Sequence, residues 1–156
     1  MERAKSKIWI YLSDKEFDTL TEKMISERTE LFLRSWKAHE NPLSSFFKIY
    51  KNRFLVIGVD EQEFSASGCS IDKQLKFIQD LEKELQLQLL NRLLVAYESG
   101  DKIEVVSQSK IRDLIDSQII NHNTRVYNNA ISSLNELETN WLIPIQDSWL
   151  NKYFKQ

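Results

Sequence analysis

The stretch FFKIYKNRFLVIGV, residues 46–59, decides the fold. Residues 46–50 and 54–59 are rich in aromatic and β-branched side chains, which favour β-strands, and the polar residues 51–53 between them predict a tight turn. The sequence therefore predicts a β-hairpin at this point. The segments on either side of the hairpin predict which strands pair with it and which helices pack on it.

One strand and one helix are predicted before the hairpin. The run IWIYL at residues 8–12 is typical of a strand. Ser13 and Glu16 have the spacing of a capping box, so we expect a helix that runs from there to about residue 38. Asn41-Pro42 ends it, because the residue before a proline disfavours helical backbone. Apolar residues at helical spacing are expected in its buried face: Phe17, Leu20, Met24, Leu31 and Phe32.

A second helix and a second hairpin are predicted after the first hairpin. The helix starts near Ile71, and Leu75, Ile78, Leu81 and Leu85 share one face of it. Residues 93–98 and 102–106 form a hairpin around the turn at 99–101. The resulting order β-α-β-β-α-β is that of the split βαβ, or ferredoxin-like, fold. We therefore expect an α+β protein with two helices on one face of an antiparallel sheet.

The C-terminal third of the chain is expected to extend or cover that sheet. A third helix begins near Ser109, an extra strand lies within residues 124–130, and a capping box at Ser133 and Glu136 opens a short helix. Asp147 caps a final turn. Four large aromatic side chains in this tail predict that it docks on folded protein, its own domain in preference to a partner: Trp141, Trp149, Tyr153 and Phe154.

Composition points to one soluble cytoplasmic domain spanning residues 1–156. The chain is 42% hydrophobic and 28% charged, which is ordinary for a globular protein. Its net charge of −2 lacks the basic surplus of a nucleic-acid-binding protein, so no nucleic-acid partner is expected. Its apolar runs are too short for a membrane span. The single cysteine, Cys69, cannot form an internal disulfide, which suits a reducing compartment.

The stretch SASGCSID, residues 65–72, is the first candidate site. Small and hydroxylated residues at a helix start leave backbone N–H groups accessible, and such groups bind anions and lower the pKa of a thiol. One interpretation is therefore a small-anion site or a reactive cysteine, and the other is a serine-capped helix start whose dipole is complemented by an acidic residue. The candidate residues are Ser67, Gly68, Cys69, Ser70 and Asp72, with His39 as a base for the thiol.

His39 and the carboxylates after the first hairpin each have two interpretations. His39 is also explained by its place at a predicted helix C-terminus, where a positive charge is favourable. Asp60, Glu61 and Glu63 supply oxygen atoms of the kind Mg²⁺ prefers, although a solvated turn explains them equally well. A zinc site is not expected, because one cysteine and two distant histidines lack any ligand-pair spacing. We expect no metal and no cofactor.

Over nearly its full length, the chain resembles a family of short bacterial proteins that are often labelled "ABC transporter ATPase" but have no established activity. Five stretches carry the resemblance: residues 8–11, 35–39, 67–72, 126–129 and 147–149. The resemblance implies no functional residue. The label itself requires the P-loop G-x-x-x-x-G-K-[ST], and none of the three glycines here begins that motif. No ATP hydrolysis is expected.

Two functions remain open from the sequence. The first is a non-enzymatic binding or interaction domain that binds another protein or a second copy of itself. No catalytic arrangement of residues is recognisable, and aromatic residues are plentiful. The second is a small-ligand-binding protein or an enzyme built around residues 67–72. A concave pocket beside Cys69 that gathers His39, Asp60 or Asn128 favours the second function. A flat surface there, with a self-complementary patch elsewhere, favours the first.

Overall fold

The computed structural model describes residues 6–155. The first half of the chain contains β1 (Ser6–Leu12), α1 (Thr19–Arg34), β2 (Lys37–Ala38), β3 (Asn41–Pro42), β4 (Ser44–Tyr50), β5 (Phe54–Asp60) and α2 (Gly68–Leu85). The second half contains β6 (Leu94–Ser99), β7 (Lys102–Ser107), α3 (Ile111–Asp116), β8 (Arg125–Tyr127), α4 (Leu134–Thr139) and β9 (Leu142–Pro144). Short 3₁₀ helices lie at Gln108–Lys110, Ile145–Asp147 and Trp149–Phe154.

The first sheet confirms the predicted hairpin and the α+β class. Its strand order is β1-β5-β4, and β5 is antiparallel to both neighbours. β1 and β4 are therefore parallel to each other, joined through α1, with β5 inserted between them. This is the split βαβ unit. Within the hairpin, Phe46 lies opposite Gly58, and its ring fills the space that a side chain at Gly58 would take.

The second sheet corrects the ferredoxin-like expectation. In that fold the strand after α2 would pair with the free edge of β1, whereas here β6 joins a separate antiparallel sheet of order β7-β6-β8-β9. The free edge of β1 is instead bonded at Ile8, whose N–H donates to the carbonyl of Ser132. β6 is apolar on both faces, which suits its place between the first sheet and the layer of α3 and the C-terminal 3₁₀ helices.

The sheets stack face to face between two helical layers. Odd-numbered residues of β5 face α1 and α2, and even-numbered residues face the second sheet, as the alternation of a strand requires. The other face of the second sheet packs against α3 and the C-terminal 3₁₀ helices. One buried cluster is shared by the two sheets: Ile8, Leu12, Phe54, Val56, Ala96, Tyr127, Ile131 and Trp141. Among the helices of residues 6–155, none combines the length and apolar character that a membrane-spanning helix needs.

The start and end of α1 differ from the prediction. Its N-cap is Asp18, whose carboxylate accepts a hydrogen bond from the N–H of Thr21, and this bond lowers the pKa of Asp18. Ser13 is buried instead, and its Oγ accepts from the N–H of Lys15. The helix ends at Arg34 rather than near residue 38, because the next apolar residue, Trp36, turns into the core.

The buried positions of α1 were only partly predicted. Leu20 and Leu31 are 66% and 64% exposed, so their assignment to the core is wrong. They share a stripe that faces solvent, while Ile25 and Thr29 face the sheet. The predicted stripe on α2 is confirmed at Ile78 and Leu81, and Leu85 is partly buried, but Leu75 is 43% exposed and lies outside the core.

Leu81→Ala and Leu31→Ala form a matched test of these positions. Leu81 is 2% exposed, so its truncation is expected to lower the free energy of unfolding by about 2–5 kcal/mol. Leu31→Ala is expected to change it by less than about 0.5 kcal/mol, as is usual at a surface position. Urea unfolding of both variants measures the difference, and equal losses would show that the two faces have been assigned incorrectly.

The C-terminal tail packs on its own chain, as predicted. Trp141, Ile145 and Leu150 are buried, whereas Trp149 remains 44% exposed. The final turn is capped by Ser148, whose Oγ accepts from the N–H of Leu150, and not by Asp147. The sequence did not predict β9, which is the edge strand of its sheet and so tolerates Pro144.

Candidate functional site

Residues 67–72 form the capped start of α2. The helix begins at Gly68, three residues before the predicted start, with Ser67 as its N-cap. Ser70 N donates to Ser67 Oγ at 3.1 Å, and Ser67 N donates to Ser70 Oγ at 2.7 Å. The predicted serine cap is thus confirmed. Each of these two donors is already satisfied by the other serine side chain.

The other residues of this first candidate site lie on two separate elements, the start of α2 and the β2–β3 hairpin. Cys69 and Asp72 are exposed. His39 lies in the turn of the β2–β3 hairpin at φ 51°, not at a helix end, because α1 stops at Arg34. Within residues 6–155, no hydrogen bond, ion pair or ring contact joins His39 to Cys69. Anion binding and a reactive thiol at this helix start stay predictions.

Two carboxylates in the acidic turn after β5 accept hydrogen bonds from the backbone of the same loop. Asp60 Oδ1 accepts from the N–H of Gln62, and Glu61 Oε2 accepts from the N–H of Ala66. These bonds hold the loop that leads into α2. In the part of the chain that the structure describes, no three Asp, Glu, His or Cys side chains come together as a metal-ion site.

A cavity of about 290 Å³ lies elsewhere, beside the free edge of β1; we name it the β1-edge cavity. It opens between the end of β1, the segment that joins α2 to β6, and the segment after β8. Its size is at the small end of ligand sites in proteins. Its lining is mainly apolar or uncharged: Ile10, Tyr11, Leu12, Leu89, Leu90, Asn91, Arg92, Leu94, Tyr127, Asn128, Asn129, Ala130 and Trp149.

Backbone groups of β1 face this cavity without partners. Ser13 N donates across the first sheet to Arg53, while Ile8 N donates outward to Ser132. Antiparallel pairing alternates the direction of these groups along a strand, so the N–H and C=O of Ile10 and Leu12 also point away from β5. In the described part of the chain, the amide N–H groups of Ile10 and Leu12 donate to no other residue.

The segment opposite β1 starts to pair with it and then turns away. Ser132 O accepts from Ile8 N, and Leu134 N donates to Ser6 Oγ, so this segment runs antiparallel to β1. Continuing the same register would place Ala130 opposite Ile10. Ala130 instead donates to the Oδ1 of Asn128, and the chain bends into the second sheet. The β1-edge cavity is the gap that this bend leaves.

Polar groups in the cavity favour an anionic ligand. Arg92 is the one charged residue that lines it, and within residues 6–155 its guanidinium forms no ion pair or hydrogen bond. The Oδ1 atoms of Asn128 and Asn129 accept from Ala130 N and Trp141 Nε1, which leaves both side-chain NH₂ groups as donors. Arginine and amide donors are the groups that bind carboxylates.

Tyr11 connects the cavity to the layer between the first sheet and the helices. Its hydroxyl donates to Gln74 Oε1 at 2.5 Å, and both residues are buried. Burial raises the pKa of Tyr11 well above its ordinary value of 10.0, and the charge of Arg92 opposes that shift. The hydroxyl therefore stays protonated at neutral pH and keeps its hydrogen bond.

Tyr11→Phe is expected to make stability less sensitive to alkaline pH. Because the folded-state pKa of Tyr11 is raised, the unfolded chain loses this proton first, and the free energy of unfolding falls as pH rises above about 10. The contribution of Tyr11 to that fall is at most about 1.4 kcal/mol per pH unit. Urea unfolding at about pH 8 and about pH 11 measures it, and equal losses in wild type and variant would contradict the assignment.

Comparison with family models, with curated proteins and with solved structures finds no match to this chain. The sequence named only Asn128 among the polar cavity residues, and as a neighbour of Cys69, because none of the lining residues belongs to a catalytic or ligand-binding motif. Arg92 is one cation among 21 lysine and arginine residues. The available signal was the family resemblance, since its stretches contain six of the lining residues: Ile10, Tyr11, Tyr127, Asn128, Asn129 and Trp149.

Proposed function

We propose that this protein is a non-enzymatic cytoplasmic binding protein whose ligand enters the β1-edge cavity. The single observation that carries the proposal is the unpaired Arg92 in a cavity that is otherwise uncharged and largely apolar. Arg92 is an exposed residue, and its unpaired guanidinium is available to give a carboxylate a charge-assisted hydrogen bond. The exposed Cys69 thiol suits a reducing cytoplasm.

The chemistry of the site defines the class of ligand. Leu89, Leu90 and Leu94 offer apolar contact, and Arg92 offers charge, so the ligand has an apolar body and one anionic group. Asn128 and Asn129 add hydrogen-bond donors beside it. No nucleophile with an adjacent base lines the cavity, which is why binding without catalysis is the function proposed.

A titration with 4-methylpentanoate and its neutral amide tests this proposal. The carboxylate is expected to shift the backbone amide resonances of residues around the cavity in a saturable way, and the neutral amide is expected to bind more weakly. Arg92→Gln should weaken binding of the carboxylate by about tenfold or more, because hydrogen bonds to charged groups contribute about 1.5–3 kcal/mol.

Two further variants test whether the ligand binds in the cavity or elsewhere on the protein. Ala130→Leu places a larger side chain at the cavity wall and is expected to abolish binding, whereas Arg34→Gln, at an exposed arginine of α1, should leave binding unchanged. Binding that survives both Arg92→Gln and Ala130→Leu would place the ligand elsewhere. The absence of any saturable shift would contradict the proposed function.

A further inference from the structure

We infer that the ligand of the β1-edge cavity is the carboxyl-terminal end of an extended peptide, which adds a strand to β1. This inference rests on the proposed function and names its ligand class. It starts from the free edge of β1, where Ile10 presents an N–H and a C=O side by side. The complement of that pair is the C=O and N–H of another peptide residue in extended conformation.

The topology leaves a place for such a strand. Next to β1, on the side away from β5, the ferredoxin-like fold would have its closing strand, but here the chain after α2 passes only the end of β1. Asp14 and Gln88 exchange two hydrogen bonds there, and the chain then continues into the second sheet. The edge of β1 is paired at Ile8 by Ser132 and is open from Ile10 to Leu12.

The charge in the cavity sets which part of a peptide fits. Arg92 and the amide donors of Asn128 and Asn129 are suited to a terminal carboxylate. A volume of about 290 Å³ suits a short stretch of chain and not a long strand, which also favours a chain end. The apolar ring of Trp149 lines the cavity, is 44% exposed and offers contact to the residues before the terminus.

The inference predicts main-chain hydrogen bonds as well as a charge interaction, so ligands with and without peptide bonds distinguish the two. The probe is N-acetyl-alanyl-leucine with a free carboxylate. Its three comparison ligands are the C-terminal amide, an analogue methylated on both amide nitrogens, and 4-methylpentanoate, which has the carboxylate without a peptide bond. Binding is followed by calorimetry, and the site is identified from the backbone amide resonances of Ile10 and Leu12.

The expected result is that the peptide binds at least about tenfold more tightly than 4-methylpentanoate and that N-methylation removes this gain, because each paired donor contributes about tenfold. Amidation and Arg92→Gln should each weaken binding by a similar factor and should not add when combined, since both remove the same contact. Arg34→Gln is the matched control.

The outcomes separate the two proposals. If the methylated analogue binds as tightly as its parent while 4-methylpentanoate still binds in the cavity, the peptide inference is overturned and the small-carboxylate site stands. If neither the peptide nor 4-methylpentanoate binds in the cavity, both proposals fail. A downfield shift of the Ile10 amide proton on peptide binding, absent with the methylated analogue, would support strand addition.

Discussion

Trp141→Ala is expected to lower the free energy of unfolding by about 3–5 kcal/mol, the range for truncating a buried tryptophan. Trp141 is 6% exposed and lies between the two sheets. Its ring meets Tyr50 and Phe54 of the first sheet and Tyr127 of the second in edge-to-face contacts, with centroid distances of 4.8–5.3 Å. Alanine would leave a cavity where the two sheets share their core, and urea unfolding measures the loss.

Trp141→Phe separates the contribution of ring packing to stability from the contribution of the indole N–H to ligand binding. Phenylalanine keeps most of the ring contacts but removes the indole N–H, which donates to Asn129 Oδ1 at 2.9 Å. Its stability loss is therefore expected to be clearly smaller than that of Trp141→Ala, while ligand binding in the β1-edge cavity should still weaken because Asn129 is no longer held. A loss below about 0.5 kcal/mol for Trp141→Ala would show that the sheets do not share this core.

Trp36→Ala is expected to have an effect of similar size, about 3–5 kcal/mol, at the opposite face of the first sheet. Trp36 is 2% exposed and packs against Trp9 and Phe32. Its indole N–H donates to the backbone carbonyl of Ser70 at 2.7 Å, so it also ties the end of α1 to the start of α2.

The position of Trp36 in the fold predicts a second, local effect. Losing the indole donor frees the Ser70 carbonyl in the first turn of α2, so amide exchange there should accelerate beyond the general loss of stability. Trp36→Phe, which keeps a ring without the donor, is the matched variant. Thermal unfolding of Trp36→Ala at an unchanged midpoint would contradict the burial assigned to this side chain.

The sequence predicted elements better than partners. Residues 46–59 gave the β4–β5 hairpin with nearly correct limits, because strand formers and turn residues are local signals. The predicted pairing of β6 with β1 was wrong, because the residues of an apolar strand do not indicate which sheet edge the strand will pair with. The position of β6 depends on residues that are distant in sequence. Ser132 bonds to the edge of β1, and β8 pairs with β6.

Capping predictions succeeded where the side chain had no competing role. Ser67 and Ser133 cap their helices as expected. Ser13 had the same spacing to an acidic residue but is buried beside β1, and Asp18 caps α1 in its place. Leu20 and Leu31 have helical spacing but are exposed, because the sheet contacts a different stripe of the helix.

The candidate site was beyond prediction for a related reason. It is made by backbone groups of Ile10 and Leu12 that lack a neighbour, and a missing neighbour leaves no pattern in the sequence. Arg92 and Asn129 are brought to that edge by segments separated by 37 positions in the numbering, and they follow no motif. Residues 67–72 carried the stronger local signal, yet the structure uses their hydroxyls for the helix cap.

Amide hydrogen exchange along β1, with and without N-acetyl-alanyl-leucine, tests the central claim most directly. In the free protein, Ile8 N–H is bonded to Ser132 and is expected to exchange slowly, whereas Ile10 N–H and Leu12 N–H face the cavity and should exchange much faster. Saturating peptide is expected to slow exchange at Ile10 by about tenfold or more. Exchange at Ile10 and Leu12 as slow as at Ile8 before any ligand is added, or unchanged after it, would contradict an open, ligand-binding edge.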